Sequence, residues 1–150
     1  MAFGGQTVKG TSITLLDSAP RLLPDSSVFH GRMYRQYCEY EAATLTAGSY
    51  IAMARLPKGA VVMGGNVYAD PLGAAITLTV GDSDDTDRFM VSLIATQGVG
   101  TQPAVGCGKL SAIDGIGYKY TCEKDVLVCC GDATTITGTI KLVIEYGLEG

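Results

Sequence analysis

The first candidate for chemistry in this 150-residue chain is a run of carboxylates between two apolar stretches. Four aspartates fall close together, at Asp82, Asp84, Asp85 and Asp87. Hard cations such as Ca²⁺ take about six to eight oxygen ligands, and an acidic loop can supply several of them. The EF-hand pattern fails, because its glycine position holds Asp87 and its bidentate glutamate position holds Leu93. A solvated loop between two strands is the favoured interpretation, and a calcium site at the four aspartates is the alternative.

Thiols are the second candidate. The chain has five cysteines, an odd number that cannot pair completely within one molecule. Cys122, Cys129 and Cys130 lie close in sequence, with Cys107 upstream, and their spacing does not match a zinc ribbon. Adjacent residues of a strand point to opposite faces, so Cys129 and Cys130 cannot chelate one ion together. We expect buried thiols that act as small hydrophobic residues. The alternative is a disulfide, within or between subunits, in which Cys122 takes part after release into an oxidising medium.

No catalytic set is visible. Hydrolysis needs a general base beside an oriented nucleophile, and the single histidine, His30, lies in an irregular stretch without such a neighbour. The glycine-rich stretches are not followed by the Lys-Ser or Lys-Thr that opens a phosphate-binding helix. We therefore predict no catalytic residue, no cofactor and no metal. A calcium-assisted hydrolase is the remaining enzymatic hypothesis.

Charge and hydropathy limit the partners. The formal net charge is −4, and the lysines and arginines are scattered, whereas nucleic-acid binding needs clustered cations. The N-terminus lacks a basic region followed by an apolar one, and no run of about 18 apolar residues occurs. We expect a soluble protein made in a cytoplasm, with neither nucleic acid nor membrane as a partner.

The elements that carry these residues read as strands. From position 50 to position 90, apolar runs of strand length alternate with Pro-Gly, Asp-Pro and Gly-Asp breaks, as in an antiparallel β-meander. Residues 75–80 alternate most cleanly, and residues 89–95 form an apolar run that we expect in the centre of a sheet. Gly64 and Gly65 interrupt a strand and predict a bulge or a close backbone approach. The other predicted strands are 33–41 (with a short amphipathic helix as the alternative), 50–56, 61–68, a hairpin of 116–122 and 126–130, and 135–146.

This pattern predicts an all-β fold. Seven to nine strands and no long helix indicate an antiparallel two-sheet β-sandwich, with the jelly roll as the expected form. Residues 1–32 lack a period and contain Pro20 and Pro24, which resist regular pairing. We expect residues 1–32 to form an extended N-terminal arm and residues 33–150 to form the sandwich. An arm that wraps its own domain and an arm tied down by a partner both remain open.

Four segments of the sequence carry a resemblance. They read RLPKGA at 55–60, GNVY at 65–68, GAAITLTVG at 73–81 with acidic residues after it, and GTIKLVIEY at 138–146. On these segments, residues 46–146 resemble the capsid decoration or cement (head-stabilisation) proteins of tailed bacteriophages. The resemblance implies a β-sandwich docked on the outside of an icosahedral shell, with the major capsid protein as partner. It does not cover the arm, and the cysteine cluster departs from the pattern of the group.

The function expected from this resemblance is structural. We expect a non-enzymatic virion protein, assembled in the host cytoplasm as a dimer or trimer, that binds the capsid exterior and stabilises capsomer junctions. The alternative is a carbohydrate- or receptor-binding module of a tail fibre or spike, in which tyrosine rings stack on sugars. The tyrosines that motivate this alternative are Tyr34, Tyr37, Tyr40, Tyr118 and Tyr120.

Overall fold

The computed structural model describes residues 32–46, 48–70, 72, 76–95, 106–110, 112–131 and 135–148. The predicted arm, except for Arg32, and His30 lie outside the described residues. No helix in the described ranges is long and apolar enough to cross a membrane.

The described part of the chain forms eight β-strands. They are β1 (Met33–Thr46), β2 (Tyr50–Leu56), β3 (Ala60–Ala69), β4 (Ile76–Gly81), β5 (Met90–Ala95), β6 (Gly106–Lys109), β7 (Lys124–Gly131) and β8 (Thr135–Leu148). The prediction of a strand from position 33 is confirmed, and the helical alternative there is wrong.

The strands form two antiparallel sheets. The first sheet has the order β1-β8-β3-β6, and the second has the order β2-β7-β4-β5. Apart from the step from β4 to β5, each strand lies in the other sheet from the strand before it. This is the strand order of an eight-stranded jelly roll, so the predicted antiparallel sandwich is confirmed.

The predicted meander is wrong. β2, β3 and β4 follow one another in sequence but alternate between the two sheets, and only β4 and β5 are paired neighbours. We expect the run at 89–95 in the centre of a sheet, but among the described strands β5 lies at an edge and pairs with β4 alone. An apolar run reports how well the faces of a strand are covered, whereas the number of neighbouring strands depends on long-range pairing.

The predicted hairpin of 116–122 and 126–130 is also wrong. Residues 113–117 form a turn, and Lys119 makes an isolated bridge with Val61. β7 begins at Lys124, inside the expected turn. The backbone N–H of Tyr120 donates to the carbonyl of Ala60 at 2.9 Å, so this segment pairs with the start of β3 rather than with β7. β6, four residues rich in glycine, lies between the predicted strands 89–95 and 116–122, where no strand is expected. It forms because pairing with β3 outweighs the low β-propensity of its glycines.

The core lies between the sheets. Ile76, Leu78 and Val80 of β4 are buried while the threonines between them are half-buried, which confirms the predicted alternation. Side chains from the facing sheet, such as Leu142 and Ile144 of β8, are also buried. Each fully buried side chain of this size contributes about 1.5–3 kcal/mol to the free energy of unfolding.

The bulge predicted at Gly64 and Gly65 is confirmed. The register between β3 and β8 shifts between Val62 and Gly64. Gly65 has φ +149°, and a Cβ there would overlap the carbonyl oxygen of Val143. Glycine is required because the two backbones approach too closely for a side chain.

Candidate interaction surface

The acidic loop contains a buried carboxylate. Asp82 is 1% exposed, so the expectation of a solvated loop is wrong for this residue. Its Oδ1 accepts the backbone N–H groups of Asp84 at 2.9 Å and Asp85 at 3.1 Å. Its Oδ2 accepts Arg88 Nε at 2.8 Å and the Tyr120 hydroxyl at 2.9 Å. Four donors fill the acceptor positions of the carboxylate, which leaves no room for a cation.

The contacts of this cluster favour the ionised carboxylate of Asp82. Burial disfavours the charge on Asp82, but the hydrogen bonds from Arg88, the Asp84 N–H and Tyr120 outweigh it, and the pKa of Asp82 is lowered. Burial and the bond to Asp82 raise the pKa of Tyr120, which therefore stays protonated. The Arg88 guanidinium lies 4.0 Å from the centre of the Tyr118 ring, a cation–π contact.

The cluster joins separate loops at one end of the sandwich. Tyr120 comes from the segment before β7, and its carbonyl accepts the N–H of Gly59 in the turn between β2 and β3 at 2.8 Å. Lys124 Nζ lies 2.9 Å from Asp84 Oδ2. Asp82 and Asp84 of the acidic run therefore help to hold these loops together at this end of the sandwich.

The four aspartates do not converge on one point. Asp84 binds Lys124, and Asp85 accepts the backbone N–H of Asp87 at 3.4 Å. Within the described ranges, no group of three or more His, Cys, Asp or Glu side chains could hold a metal ion.

The cysteines are divided between the sheets. Cys107 lies on β6 in the first sheet, opposite Tyr68, whereas Cys129 and Cys130 lie on β7 in the second sheet. Cys122 is exposed, Cys129 is half-buried and Cys130 is buried, and all three are free thiols. Burial, aided by the neighbouring Cys129, raises the pKa of Cys130 to about 11. Cys130 therefore packs as a protonated, apolar side chain.

The five tyrosines proposed for sugar stacking do not form one surface. Tyr120 is buried, and Tyr40 and Tyr118 are partly buried against the core. Tyr34 stacks on Tyr146 with ring centres 5.8 Å apart. Tyr37, which is 58% exposed, is the member of the set with the most accessible ring.

The outer face of β1 carries a row of paired polar side chains that the sequence reasoning missed. Arg35 Nε donates to Glu145 on β8 at 3.0 Å. The Tyr37 hydroxyl donates to Glu39 at 2.6 Å, and Lys141 on β8 lies 3.5 Å from the same carboxylate. The sequence does contain a signal for this row, because Arg35, Tyr37 and Glu39 occupy alternate positions of a strand and so share one face. The three-residue spacing of Tyr34, Tyr37 and Tyr40 made this alternation hard to see.

A groove lies between the two edge strands β1 and β2. Its volume is about 440 Å³, and Gln36 and Cys38 line it from β1 while Met53 and Arg55 line it from β2. The side-chain oxygen of Gln36 is buried and accepts no hydrogen bond from the described residues. Among the described residues, no further strand pairs with β1 or β2 at this side of the sandwich, which carries the buried Gln36 oxygen and a charged outer face.

The fold has relatives of known structure. No protein-family model matches the sequence, and no curated protein matches it. A chain of the cyanophage Pam1 capsid asymmetric unit superposes with a TM-score of 0.68 at 24% identity, covering 88% of this chain and 96% of that chain. A chain of the Ralstonia phage GP4 capsid gives 0.62 at 23% identity, covering 85% and 89%.

A third match is to the acid-stable capsid of Helicobacter pylori bacteriophage KHP30, with a TM-score of 0.60, 18% identity and coverage of 79% and 89%. All three matches are chains of phage capsid structures. The structural neighbours therefore agree with the resemblance to phage capsid-associated proteins, and this chain has the fold of those capsid chains.

Proposed function

We propose that this protein is a non-enzymatic structural component of a phage virion, a cement or decoration protein that binds the outer surface of the capsid. The observation that carries the proposal is the match to the Pam1 capsid chain, in which 88% of this chain corresponds to 96% of that one. Most of each chain therefore superposes on the other, and the region that matches a capsid chain is nearly the whole of this protein.

The physical mechanism is stabilisation of the assembled state. A protein that binds capsomers only where they meet in the shell shifts the assembly equilibrium toward the shell by mass action. The partner in this proposal is the major capsid protein, and the copies assemble in the host cytoplasm on the shell exterior as homo-oligomers. Many weak contacts are enough, because a second contact made by a tethered molecule is effectively intramolecular.

In this proposal the N-terminal arm allows one copy to contact capsid subunits beyond the one on which its sandwich sits. We assign residues 1–32 to an arm that crosses from the sandwich to neighbouring subunits. A fully extended chain of this length spans at most about 110 Å. The arm loses conformational entropy when it binds, so its contribution depends on repetition over many copies.

The experiment that tests the role is mass spectrometry of purified virions. We expect the protein at a copy number comparable to that of the capsid subunits, and a few copies or none would refute the role. Deletion of residues 1–32 is expected to weaken binding to particles that lack the protein while the sandwich keeps its melting temperature. If the deleted form binds as tightly as the full chain, the assignment of the arm is wrong.

A further inference from the structure

A small pocket lies on the outer face of the first sheet, where β3 ends beside β8. Its volume is about 270 Å³, and it is lined by Tyr68, Ala69 and Asp70 at the end of β3 and by Thr139 and Lys141 of β8. Tyr68 lies opposite Lys141 in the register of the two strands. Pockets for drug-sized ligands measure about 300–1,000 Å³, so this pocket has room for a single small ring.

Tyr68 supplies an accessible aromatic ring at this pocket. Its side chain is 38% exposed, whereas its neighbours Val67 and Ala69 are buried. Tyr68 therefore stands on the outer face of the sheet, since side chains alternate along a strand. An aromatic ring offers a flat apolar surface, and the hydroxyl of a tyrosine stays in contact with water. Tyr68, which the sequence did not single out, is thus better placed to stack on a ligand than the buried Tyr120.

The polar groups of the pocket are held in fixed positions. The backbone N–H of Asp70 donates to the carbonyl of Thr139 at 3.0 Å, and the N–H of Thr139 donates to Asp70 Oδ2 at 3.1 Å. The Thr139 hydroxyl donates to Glu41 at 2.6 Å. Because these bonds already fix the carboxylate and the hydroxyl, a ligand loses little free energy in ordering them.

We propose that this pocket binds one neutral sugar ring, with the C–H face of the sugar on Tyr68 and its hydroxyls on Asp70 and Lys141. A sugar hydroxyl both donates and accepts hydrogen bonds. The Asp70 carboxylate accepts several hydrogen bonds, and the Lys141 ammonium donates three. An acceptor and a donor beside one aromatic ring therefore match neighbouring hydroxyls of a sugar.

The charges around the pocket select a neutral ligand. In the register of β1 and β8, Glu39 lies opposite Lys141 and Glu41 lies opposite Thr139. Lys141 Nζ is 3.5 Å from the carboxylate of Glu39. Together with Asp70, these residues place three carboxylates around one ammonium group. An acidic sugar or a phosphate would meet like charges, which are repulsive.

NMR titration of the full chain tests the proposal. The probes are the methyl glycosides of glucose, galactose and mannose, with the methyl glycoside of glucuronic acid as the acidic comparison. We expect at least one neutral glycoside to bind with a dissociation constant of about 1 mM and to shift the backbone amides of residues 68–70 and 139–141. The glucuronide is expected to bind about tenfold more weakly or worse.

Variants of the pocket separate the ring from the carboxylate. Tyr68→Ala is expected to weaken binding about tenfold or more, whereas Tyr68→Phe keeps the ring and most of the affinity. Asp70→Asn retains one oxygen for the Thr139 N–H but loses the second acceptor, and it is also expected to weaken binding. Tyr50→Ala, at a tyrosine 59% exposed in the second sheet, and Asp114→Asn, at an exposed turn, are the matched controls and leave binding unchanged.

Several outcomes would overturn the proposal. These are no shift of the pocket amides at up to about 100 mM of any neutral glycoside, shifts confined to other tyrosines, and a glucuronide that binds as tightly as the hexosides. Equal losses for Tyr68→Ala and Tyr50→Ala would also refute it. If Tyr68→Ala unfolds, Tyr68→Leu takes its place, because it keeps an apolar side chain without a flat ring. The inference does not rest on the virion role, since these measurements need no capsid.

Discussion

The Asp82→Asn substitution keeps the shape of a buried side chain and removes the charge that Arg88 and Tyr120 contact. Asp82 is fully buried, and the side chain of its partner Arg88 is 13% exposed. Removing one member of a buried ion pair leaves the other charge without compensation and costs about 3–5 kcal/mol. The new amide also turns an NH₂ group toward backbone N–H donors or toward Arg88. We expect the free energy of unfolding to fall by an amount in this range at pH 7.

The pH dependence of this loss follows from the lowered pKa of Asp82. A group whose pKa is lower in the folded state stabilises the fold above its unfolded pKa, about 3.9 for aspartate. That stabilisation is lost as the pH falls through the folded-state pKa. The difference between the wild type and Asp82→Asn is therefore greatest near neutral pH and shrinks in acid.

Urea unfolding at pH 7 and at about pH 3 measures both effects. Asp125→Asn is the matched control, because Asp125 binds Arg55 in a similar pair that is exposed to solvent, and exposed pairs contribute little. Tyr120→Phe removes one hydrogen bond to the carboxylate and is expected to cost about 1.5–3 kcal/mol. A loss for Asp82→Asn no larger than for Asp125→Asn, or a loss equal at both pH values, would refute the reasoning.

Two further predictions concern packing. Gly65→Ala is expected to lower the free energy of unfolding by about 2–4 kcal/mol, because the new Cβ overlaps the carbonyl oxygen of Val143. Gly64→Ala is the control, since a Cβ at Gly64 meets no atom within 4 Å and the substitution is expected to cost less. Urea unfolding compares the two variants, and equal losses of stability would contradict the close approach at Gly65. At pH 8 the buried Cys130 is expected to react with a thiol reagent only on unfolding, whereas the exposed Cys122 reacts at once. Mass spectrometry of labelled peptides distinguishes the two sites, and early labelling of Cys130 would show that the second sheet opens.

The β-sandwich and its jelly-roll form followed from the strand pattern of the sequence, but the pairing of individual neighbouring strands did not. The alternation at 76–80 reports one buried and one less buried face, which is a local property of β4. The same pattern does not say in which sheet a strand lies, so β2, β3 and β4 looked like a meander. Their distribution between two sheets depends on contacts with β7 and β8, far away in sequence.

The buried cluster was hidden for a similar reason. A run of aspartates is usually solvated, and nothing local marks Asp82 as different from its neighbours. Arg88 six residues later was a visible partner, but Tyr120 is 38 residues away and meets Asp82 only in the folded chain. The local sequence therefore predicted the acidic loop, whereas the burial and the hydrogen bonds of Asp82 depend on tertiary contacts.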